Sequence, residues 1–568
     1  MNEISELETL KANGDAPAWL LDPGFKTLQG GYLLPSETPK GMYIRVATAA
    51  ASYQKDPAYW KDKFFDVLWK GWLCPATPIL VNMGTNRGLP ISCNSLSVPD
   101  SISGIFEKSH ELAMLSKNGA GVGLYFGDIR GRGAKIKGNG VSEGIVPWAK
   151  VMDTTIASVS QGSSRRGAAV IYLPIDHPDA EEFINIRRPN GDLNRQCLNM
   201  NHAVCISDEW MKSMLAGDMH KRERWWSVLK ARVETGEPYL FFTDNVNSAN
   251  PDCYKDKGLA VKTSNLCNEI FLHTDDDHTF VCCLSSLNLS LFSEWENTDL
   301  AQVATRFLDA VISEYIIKSD GVKGLECARR SAIKGRAIGI GVLGWHTLLQ
   351  ERSIPFDSFD AMALNAKVFK TIRSGFEEET KNLALELGEP EWCQGHNRRN
   401  THGLAIAPTV SNSTIAGGHS AGIEPLPANA WTQKSAKGTF FRQNPTLVKV
   451  LDEKAKNTLD IWKSIAENDG SVQHLKCLSS HEKEVFRTAR EINQFAIVRQ
   501  AAQRQKWIDQ GQSVNLFFAS NALNKYIHRV HVEAWRSGMK GLYYFRSEGV
   551  LKGEAASRSK DECVACEG

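Results

Sequence analysis

Ser264-Asn265-Leu266-Cys267-Asn268-Glu269-Ile270 sets an amide, a thiol and a carboxylate at alternate positions of one short segment. In an extended chain, side chains at i, i+2 and i+4 share a face. Asn265, Cys267 and Glu269 are then expected to point into one cavity. There they offer a hydrogen-bond donor, a sulfur and a general base to one small substrate. The plainer alternative is a buried cysteine in a strand with two polar neighbours at its rim, since free cysteine is among the most buried residue types. The rest of the chain decides between the two.

The chain has 568 residues, 42% of them hydrophobic and 23% charged, which gives a globular protein ample core material. Barrels with insertions reach this length. A net charge of +1 argues against a dominant attraction to nucleic acid or to an anionic membrane. No run of about 18 apolar residues occurs, so no membrane span is expected. Met1-Asn2-Glu3-Ile4 lacks the apolar region of a signal peptide. Thirteen cysteines in so long a chain do not form a small secreted disulfide framework. A reducing, cytoplasmic setting with some redox-active thiols is expected instead.

Residues 1–70 read as mostly helical, with a loop at Leu34-Pro35-Ser36-Glu37-Thr38-Pro39. From Cys74-Pro75-Ala76-Thr77-Pro78-Ile79-Leu80 onward, short apolar runs alternate with Gly-rich turns and longer helical stretches, the pattern of an α/β protein. Leu300, Val303, Phe307, Leu308, Val311, Ile312 and Tyr315 keep a helical period after a Thr298 cap. A second long helix is expected from Ala361 to Leu387, stopped by Gly388, and a third from Glu484 to Ile508. After Arg546 the residues are small, polar and charged, and a flexible tail is expected. Gly119-Ala120-Gly121-Val122-Gly123 is not a dinucleotide fingerprint, because Ile105 to Ser116 before it reads as helix where that motif needs a strand.

Pro408-Thr409-Val410-Ser411-Asn412-Ser413-Thr414-Ile415 clusters hydroxyls and backbone N–H groups at a helix start, which suits either a phosphate cradle or an N-cap. Ser160-Gln161-Gly162-Ser163-Ser164-Arg165-Arg166 joins Gly/Ser backbone to two guanidinium groups and suits a phosphate-bearing ligand. Cys93 and Cys282 are candidates to share a pocket with Cys267. Cys563-Val564-Ala565-Cys566 in the tail suits thiol–disulfide exchange, and half of a zinc site is the alternative. Cys74, Cys197, Cys205, Cys253, Cys327, Cys393 and Cys477 read as structural or surface thiols.

Taken in order, these segments resemble the catalytic (large) subunit of class I ribonucleotide reductases, from about Gly31 to Gly568. The resemblance implies a ten-stranded α/β barrel of two antiparallel five-stranded halves, with a central finger loop carrying Cys267. It divides the chain into an N-terminal helical region (1–70), the barrel (71–550) and a redox tail (551–568). Cys267 matches the thiyl radical that removes the ribose 3′ hydrogen, Glu269 the base for the 3′-hydroxyl, and Asn265 the amide that binds substrate. Cys93 and Cys282 match the reducing pair, and Cys563 and Cys566 the shuttle that restores it. Thr77, Ser92 and the loop of Pro408, Thr409, Ser411, Asn412, Ser413 and Thr414 match the substrate shell and diphosphate cradle. Tyr543 and Tyr544 match a paired radical relay, although adjacent residues of an extended segment would send their rings to opposite sides. Asp100 and Arg130 match effector contacts, and Gln161 to Arg166, with Gln161 and Arg165 named as contacts, the loop linking effector to substrate.

The implied activity is reduction of ribonucleoside diphosphates, with no metal or cofactor held permanently by this chain. The implied partners are a metal-containing radical-generating small subunit, a thioredoxin- or glutaredoxin-like reductant, dNTP or ATP specificity effectors, and a second copy in an effector-dependent homodimer. No nucleic acid or membrane partner is implied. The chain departs from the family in two ways. Few residues precede Gly30-Gly31-Tyr32-Leu33, so the N-terminal ATP cone is expected to be missing, as in a short form that a virus could carry into host cytoplasm. The cradle is also one residue longer around Ala416-Gly417-Gly418-His419. A cobalamin-dependent reductase of the same barrel family is the nearer alternative, and Tyr543-Tyr544 argues against it because such enzymes need no relay. A non-catalytic nucleotide-binding relative is the further one, and retention of five thiols, Glu269 and Asn265 argues against that.

Overall fold

The computed structural model describes residues 5–138, 140–161, 165–189, 191–435 and 438–547. Its N-terminal part is helical, with helices Glu6–Ala12, Asp22–Gln29, Pro39–Ala51 and Pro57–Trp69. Ser5, Thr38 and Asp56 each accept a backbone N–H at a helix start, and Pro39 and Pro57 occupy first turns where the missing N–H costs nothing.

Five parallel strands follow: Cys93–Ser97, Gly121–Tyr125, Ala168–Pro174, Asn201–Ile206 and Tyr239–Phe242, paired in that order. The second half starts with Phe280–Asn288, parallel to Ile338–Leu343. It continues through parallel bridges from Ile340 to Leu404 and from Ile406 to Gln512, and then through Leu516–Phe517 parallel to Phe545–Arg546. The halves meet antiparallel at two seams. Cys93 faces Cys282 at one, and Gly541–Leu542 pairs with Tyr239–Phe242 at the other. Hydrogen bonding therefore runs round the whole ring, which closes the ten-stranded barrel of two antiparallel five-stranded halves and leaves no open edge.

Side chains alternate between an outer and an inner layer. Ala169, Ile171, Leu173, Val204, Ile206, Leu240, Phe242, Val281 and Cys283 join the large core between strands and helices. Val170, Tyr172, Ala203, Cys205, Tyr239, Phe241, Phe280 and Cys282 face inward, where they meet Leu266, Cys267, Ile270 and Phe271. Helices Leu300–Lys318 and Phe359–Leu387 pack in the outer layer, the second ending at Gly388 with φ 84° as expected from sequence. A third core around Leu447, Leu451, Trp462 and Ile465 belongs to a unit of one hairpin and short helices that sequence reading did not separate from the barrel.

Two expectations are corrected. The helix at Leu300 is capped at Asp299, and Thr298 Oγ1 merely accepts from Leu300 N at 3.3 Å. The helix expected over 484–508 is two, Ser480–Val485 and Gln494–Arg504. The break comes from competing local bonds: Glu491 accepts from Thr488 N at 2.8 Å, and Asn493 caps the second helix through Phe495 N. Among the described residues, no helix is long and apolar enough to cross a membrane.

The finger passes so close to the barrel wall that the wall lacks side chains where they touch. A Cβ on Gly123 would lie 1.8 Å from Ser264 O, and one on Gly511 would lie 1.9 Å from the Phe271 ring. The Gly-rich run rejected as a nucleotide fingerprint thus serves close approach. Gly123→Ala is expected to cost about 3 kcal/mol or more by overpacking against backbone. Urea unfolding of the purified variant measures it, and a loss within about 0.5 kcal/mol, the usual range of a surface change, would contradict the threading described here.

Candidate functional site

The finger is not extended at its tip. Residues 266–268 form a turn, Asn268 adopts φ 60°, and Asn268 N donates to Asn265 O at 3.3 Å. Asparagine tolerates this left-handed backbone better than most residues. Asn265 Oδ1 then accepts from the N–H groups of both Glu269 and Ile270 at 3.1 Å. The expected alternation on one face is replaced by a turn that the Asn265 amide itself closes.

The barrel holds this turn from several sides. Tyr172 Oη donates to Asn265 O at 2.8 Å and contacts Asn268 Oδ1 at 3.2 Å. Asn268 Nδ2 donates to Leu240 O and Leu542 O at 3.1 and 3.2 Å, straddling one seam. Gly511 N donates to Glu269 O at 2.8 Å, and Ser513 Oγ donates to Cys267 O at 2.6 Å. Cys267 stays 8% exposed at the tip, the accessible end of a loop otherwise buried.

Glu269 is 1% exposed and has no cationic partner among the described residues. Burial pushes its carboxyl up to about 7, while the Asn265 amide and Ser513 Oγ, at 3.2 Å from Oε2, pull the other way. A carboxyl poised near neutrality can take or give a proton in a reaction cycle. Cys93 and Cys282 are direct cross-strand partners at the first seam, and both pack with Cys267 in the inner cluster. Burial pushes the Cys282 thiol well above its ordinary range, so it is protonated at neutral pH. Its neighbour Cys283 points outward and bonds Leu308 O. No cysteine among the described residues is in a disulfide.

At Thr409 the backbone is left-handed, φ 45°, an unusual state for a β-branched residue, and the helix Val410–Ile415 starts there without a side-chain cap. Thr409 Oγ1 accepts from Gly422 N at 2.7 Å, and the Ser413 and Thr414 hydroxyls turn back onto Val410 O. The hydroxyls of the expected cradle are thus partly engaged, and the residues left half-buried at the helix start are Pro408, Val410 and Ser411. Asn412 Nδ2 reaches Cys74 O at 3.4 Å. Thr77 begins the helix Thr77–Asn82 and bonds the Tyr32 hydroxyl at 2.7 Å, while Ser92 O receives Gly121 N beside Cys93.

Tyr543 and Tyr544 do not diverge. Their ring centroids lie 4.4 Å apart, tilted by 54°. The regular strand lapses at these two residues, as pairing passes from Tyr239–Phe242 to the 514–517 segment, and both rings turn toward Tyr239, at 4.7 and 5.0 Å. Tyr543 is buried and Tyr544 half-buried, with Asn201 Nδ2 donating to its hydroxyl at 3.0 Å and the Arg546 guanidinium 4.3 Å over its ring.

Asp100 and Arg130, expected to contact a ligand separately, pair with each other at 2.7 Å on the surface. Gln161 and Arg165 are backbone partners in a small hairpin, Ser160–Gln161 with Arg165–Arg166. Cys563 and Cys566 lie outside the described residues. One group among the described residues gathers three possible metal ligands, His273, Asp275 and His278. Both rings already meet the Asp275 carboxylate, at 3.0 and 2.9 Å, and it also accepts the N–H groups of Asp277 and His278, so hydrogen bonds account for the cluster.

Sequence reading missed Tyr172, Tyr239 and the Asp509-Gln510-Gly511-Gln512-Ser513 run. The signal was there in the last, where four polar residues and a glycine lie between Trp507-Ile508 and the largely apolar Val514-Asn515-Leu516-Phe517-Phe518 and are themselves buried.

Similarity to known proteins agrees with this geometry. A profile described as the ribonucleotide reductase barrel domain matches residues 91–223, 216–397 and 391–545, and one described as the ribonucleotide reductase all-alpha domain matches 21–88. The solved class Id ribonucleotide reductase alpha subunit of Actinobacillus ureae superposes with a TM-score of 0.87 at 42% identity, covering 94% of this chain and 99% of that one. A Frog virus 3 (isolate Goorha) protein, provisionally named a ribonucleoside-diphosphate reductase large subunit, is 40% identical over 92% of this chain and 95% of its own. The ribonucleoside-diphosphate reductase large subunit of Invertebrate iridescent virus 3 is 34% identical over 96% of this chain and 98% of its own. With the thiol-bearing finger closed inside its barrel, the chain belongs to the ribonucleotide reductase large-subunit family.

Proposed function

We propose that this chain reduces ribonucleoside diphosphates to 2′-deoxyribonucleoside diphosphates by thiyl-radical chemistry at Cys267. The observation that carries the proposal is the convergence of one tip thiol, one near-neutral carboxyl and one cross-strand thiol pair inside a single closed barrel. A thiyl radical on Cys267 takes the 3′ hydrogen, and Glu269 takes the 3′-hydroxyl proton. Cys93 gives a proton to the departing 2′-hydroxyl, and the Cys93–Cys282 pair supplies two electrons and becomes a disulfide. Thr77, Ser92 and the start of the Val410–Ile415 helix hold the ribose and diphosphate, the latter on open backbone N–H groups. Cys563 and Cys566 restore the pair and are themselves reduced by a thioredoxin- or glutaredoxin-like protein.

The radical comes from a separate metal-bearing small subunit, as expected of a large subunit. The Tyr544, Tyr543 and Tyr239 rings, within 4.4 to 5.0 Å of one another, are spaced for a relay in which each phenol gives up a proton and an electron. Asp100, Arg130 and the paired segments Ser160–Gln161 and Arg165–Arg166 form the effector region. Ile102 and Phe106, 68% and 54% exposed beside Asp100, fit a surface that a second copy covers when effector binds.

Three outcomes are expected. Cys267→Ser abolishes turnover while nucleotide binding, followed by calorimetry, stays within about two-fold, because an alcohol O–H is too strong to be re-formed and broken in the cycle. Measurable deoxynucleotide from this variant would sink the assignment. Glu269 must be ionised to act as base, so kcat/KM should rise with pH through about 7. The single Ser513 hydroxyl proton is shared between Cys267 O at 2.6 Å and Glu269 Oε2 at 3.2 Å, so Ser513→Ala removes a partial donor to the charged carboxylate and should move that limb upward by less than about one pH unit. A downward shift would contradict the role given to Ser513. Tyr543→Phe and Tyr544→Phe should each lose at least about 100-fold in turnover with the small subunit present, without weaker substrate or partner binding. Normal turnover by either would remove the relay.

A further inference from the structure

The thiol pair is asymmetric, and the asymmetry has a named cause. Cys282 is 0% exposed within a strand all of whose residues are buried, whereas Cys93 begins its strand half-buried. Direct antiparallel partners sit with Cα atoms about 4.5–5.5 Å apart, inside the range that a disulfide spans. The Cys282 sulfur also has a fixed polar neighbour. Gln510 Nε2 lies 3.4 Å from Sγ and donates to Ile338 O at 2.8 Å. A carbonyl oxygen can only accept, so the Ile338 contact fixes which end of the amide faces the sulfur. Gln510 is 0% exposed, and its Oε1 has no hydrogen-bond partner among the described residues. A half-satisfied amide in a core is unfavourable in itself. An apolar residue of similar shape would satisfy packing without it. Besides its bond to Ile338 O, the amide supplies an N–H aimed at Cys282.

We propose that Gln510 is a catalytic residue of the re-reduction step, stabilising charge on Cys282 Sγ so that an incoming thiolate attacks Cys93 and expels Cys282. This rests on the reading of Cys93 and Cys282 as the pair oxidised in turnover. One thiolate of a dithiol reductant attacks Sγ of Cys93, the Cys93–Cys282 bond breaks, and its electron pair leaves on Cys282. The Cys282 thiolate, held by the Gln510 N–H, then takes a proton. The second thiolate of the reductant attacks the reductant sulfur of the mixed disulfide and releases Cys93. The dithiol ends as a disulfide, and the pair has gained two electrons. Exchange is faster when the leaving sulfur is the better anion, and the reductant can reach only the outer sulfur. Burial opposes charge on Cys282, and the Gln510 donor is the contact that favours it.

The test uses the full chain carrying Cys563→Ser and Cys566→Ser, so that added dithiothreitol is the only reductant. The pair is oxidised with diamide and the Cys93–Cys282 link confirmed by peptide mapping. Gln510→Met should slow reduction about ten-fold, the loss of one charge-assisted hydrogen bond at partial charge. Alkylation of reduced Cys93 by iodoacetamide should be unchanged, whereas a packing defect would alter both. Gln510→Glu should be slower still, and increasingly so as its carboxyl ionises. Reduction of Gln510→Met at the parent rate would overturn the proposal. Should the substitutions not fold, the chain with Gln510 intact still decides. A limiting monothiol, glutathione, should be trapped on Cys93, and trapping on Cys282 would overturn the proposal. Failure of any Cys93–Cys282 disulfide to form would remove the underlying reading and the proposal with it, whereas a disulfide indifferent to Gln510 removes the proposal alone.

Discussion

A polar loop threaded through a closed barrel is the constraint on which the other features depend. Residues 263–272 run through the interior with almost no water to satisfy them, so every backbone group needs a protein partner. The partners come from both halves: Tyr172 and Leu240 from one, Leu542, Gly511 and Ser513 from the other. Close approach then forbids side chains on the wall at Gly123 and Gly511. The site is therefore placed by the whole ring, and neither half could position Cys267 alone.

Dryness also sets the chemistry. Burial drives the Cys282 thiol upward and brings the Glu269 carboxyl to about 7. Protonated thiols suit hydrogen-atom transfer, and a carboxyl near neutrality suits a cycle in which it must both take and return a proton. In the proposed cycle the thiolate form is needed only when the pair is restored, and the Gln510 amide donor on Cys282 is placed for that moment. The two tyrosines of the proposed relay lie at the point where the strand changes partners, and there their adjacent rings turn to the same side.

Much of this was legible in the chain. The order of Cys93, Cys267, Cys282, the hydroxyl cradle and Tyr543-Tyr544 points to the family, and the family implies the barrel. The helices at Leu300 and Phe359 follow from their apolar period. What failed were assumptions of local regularity. The finger was expected to be extended and is turned, because the Asn265 side chain outcompetes strand geometry for the Glu269 and Ile270 N–H groups. Strand alternation alone would send the adjacent tyrosine rings to opposite sides, and they converge because a change of pairing partner is a long-range event. Gly123 and Tyr172 carry no local motif for the parts they play, and the polar run that holds Gln510 and Gly511 signals burial without naming its partners. Their roles exist only once segments about 90 to 240 residues apart are brought together.

The central claim is that one finger thiol acts with one cross-strand pair on one substrate. A single-turnover experiment tests it most directly: pre-reduced chain, a competent small subunit, excess ribonucleoside diphosphate and no external reductant, with the Cys563→Ser and Cys566→Ser background to block resupply. Deoxynucleotide is counted per chain, and disulfides are mapped by mass spectrometry. The account predicts no more than about one deoxynucleotide per chain, matched one for one by a Cys93–Cys282 disulfide. Product formed without that disulfide, or matched by a different cysteine pair, would contradict it.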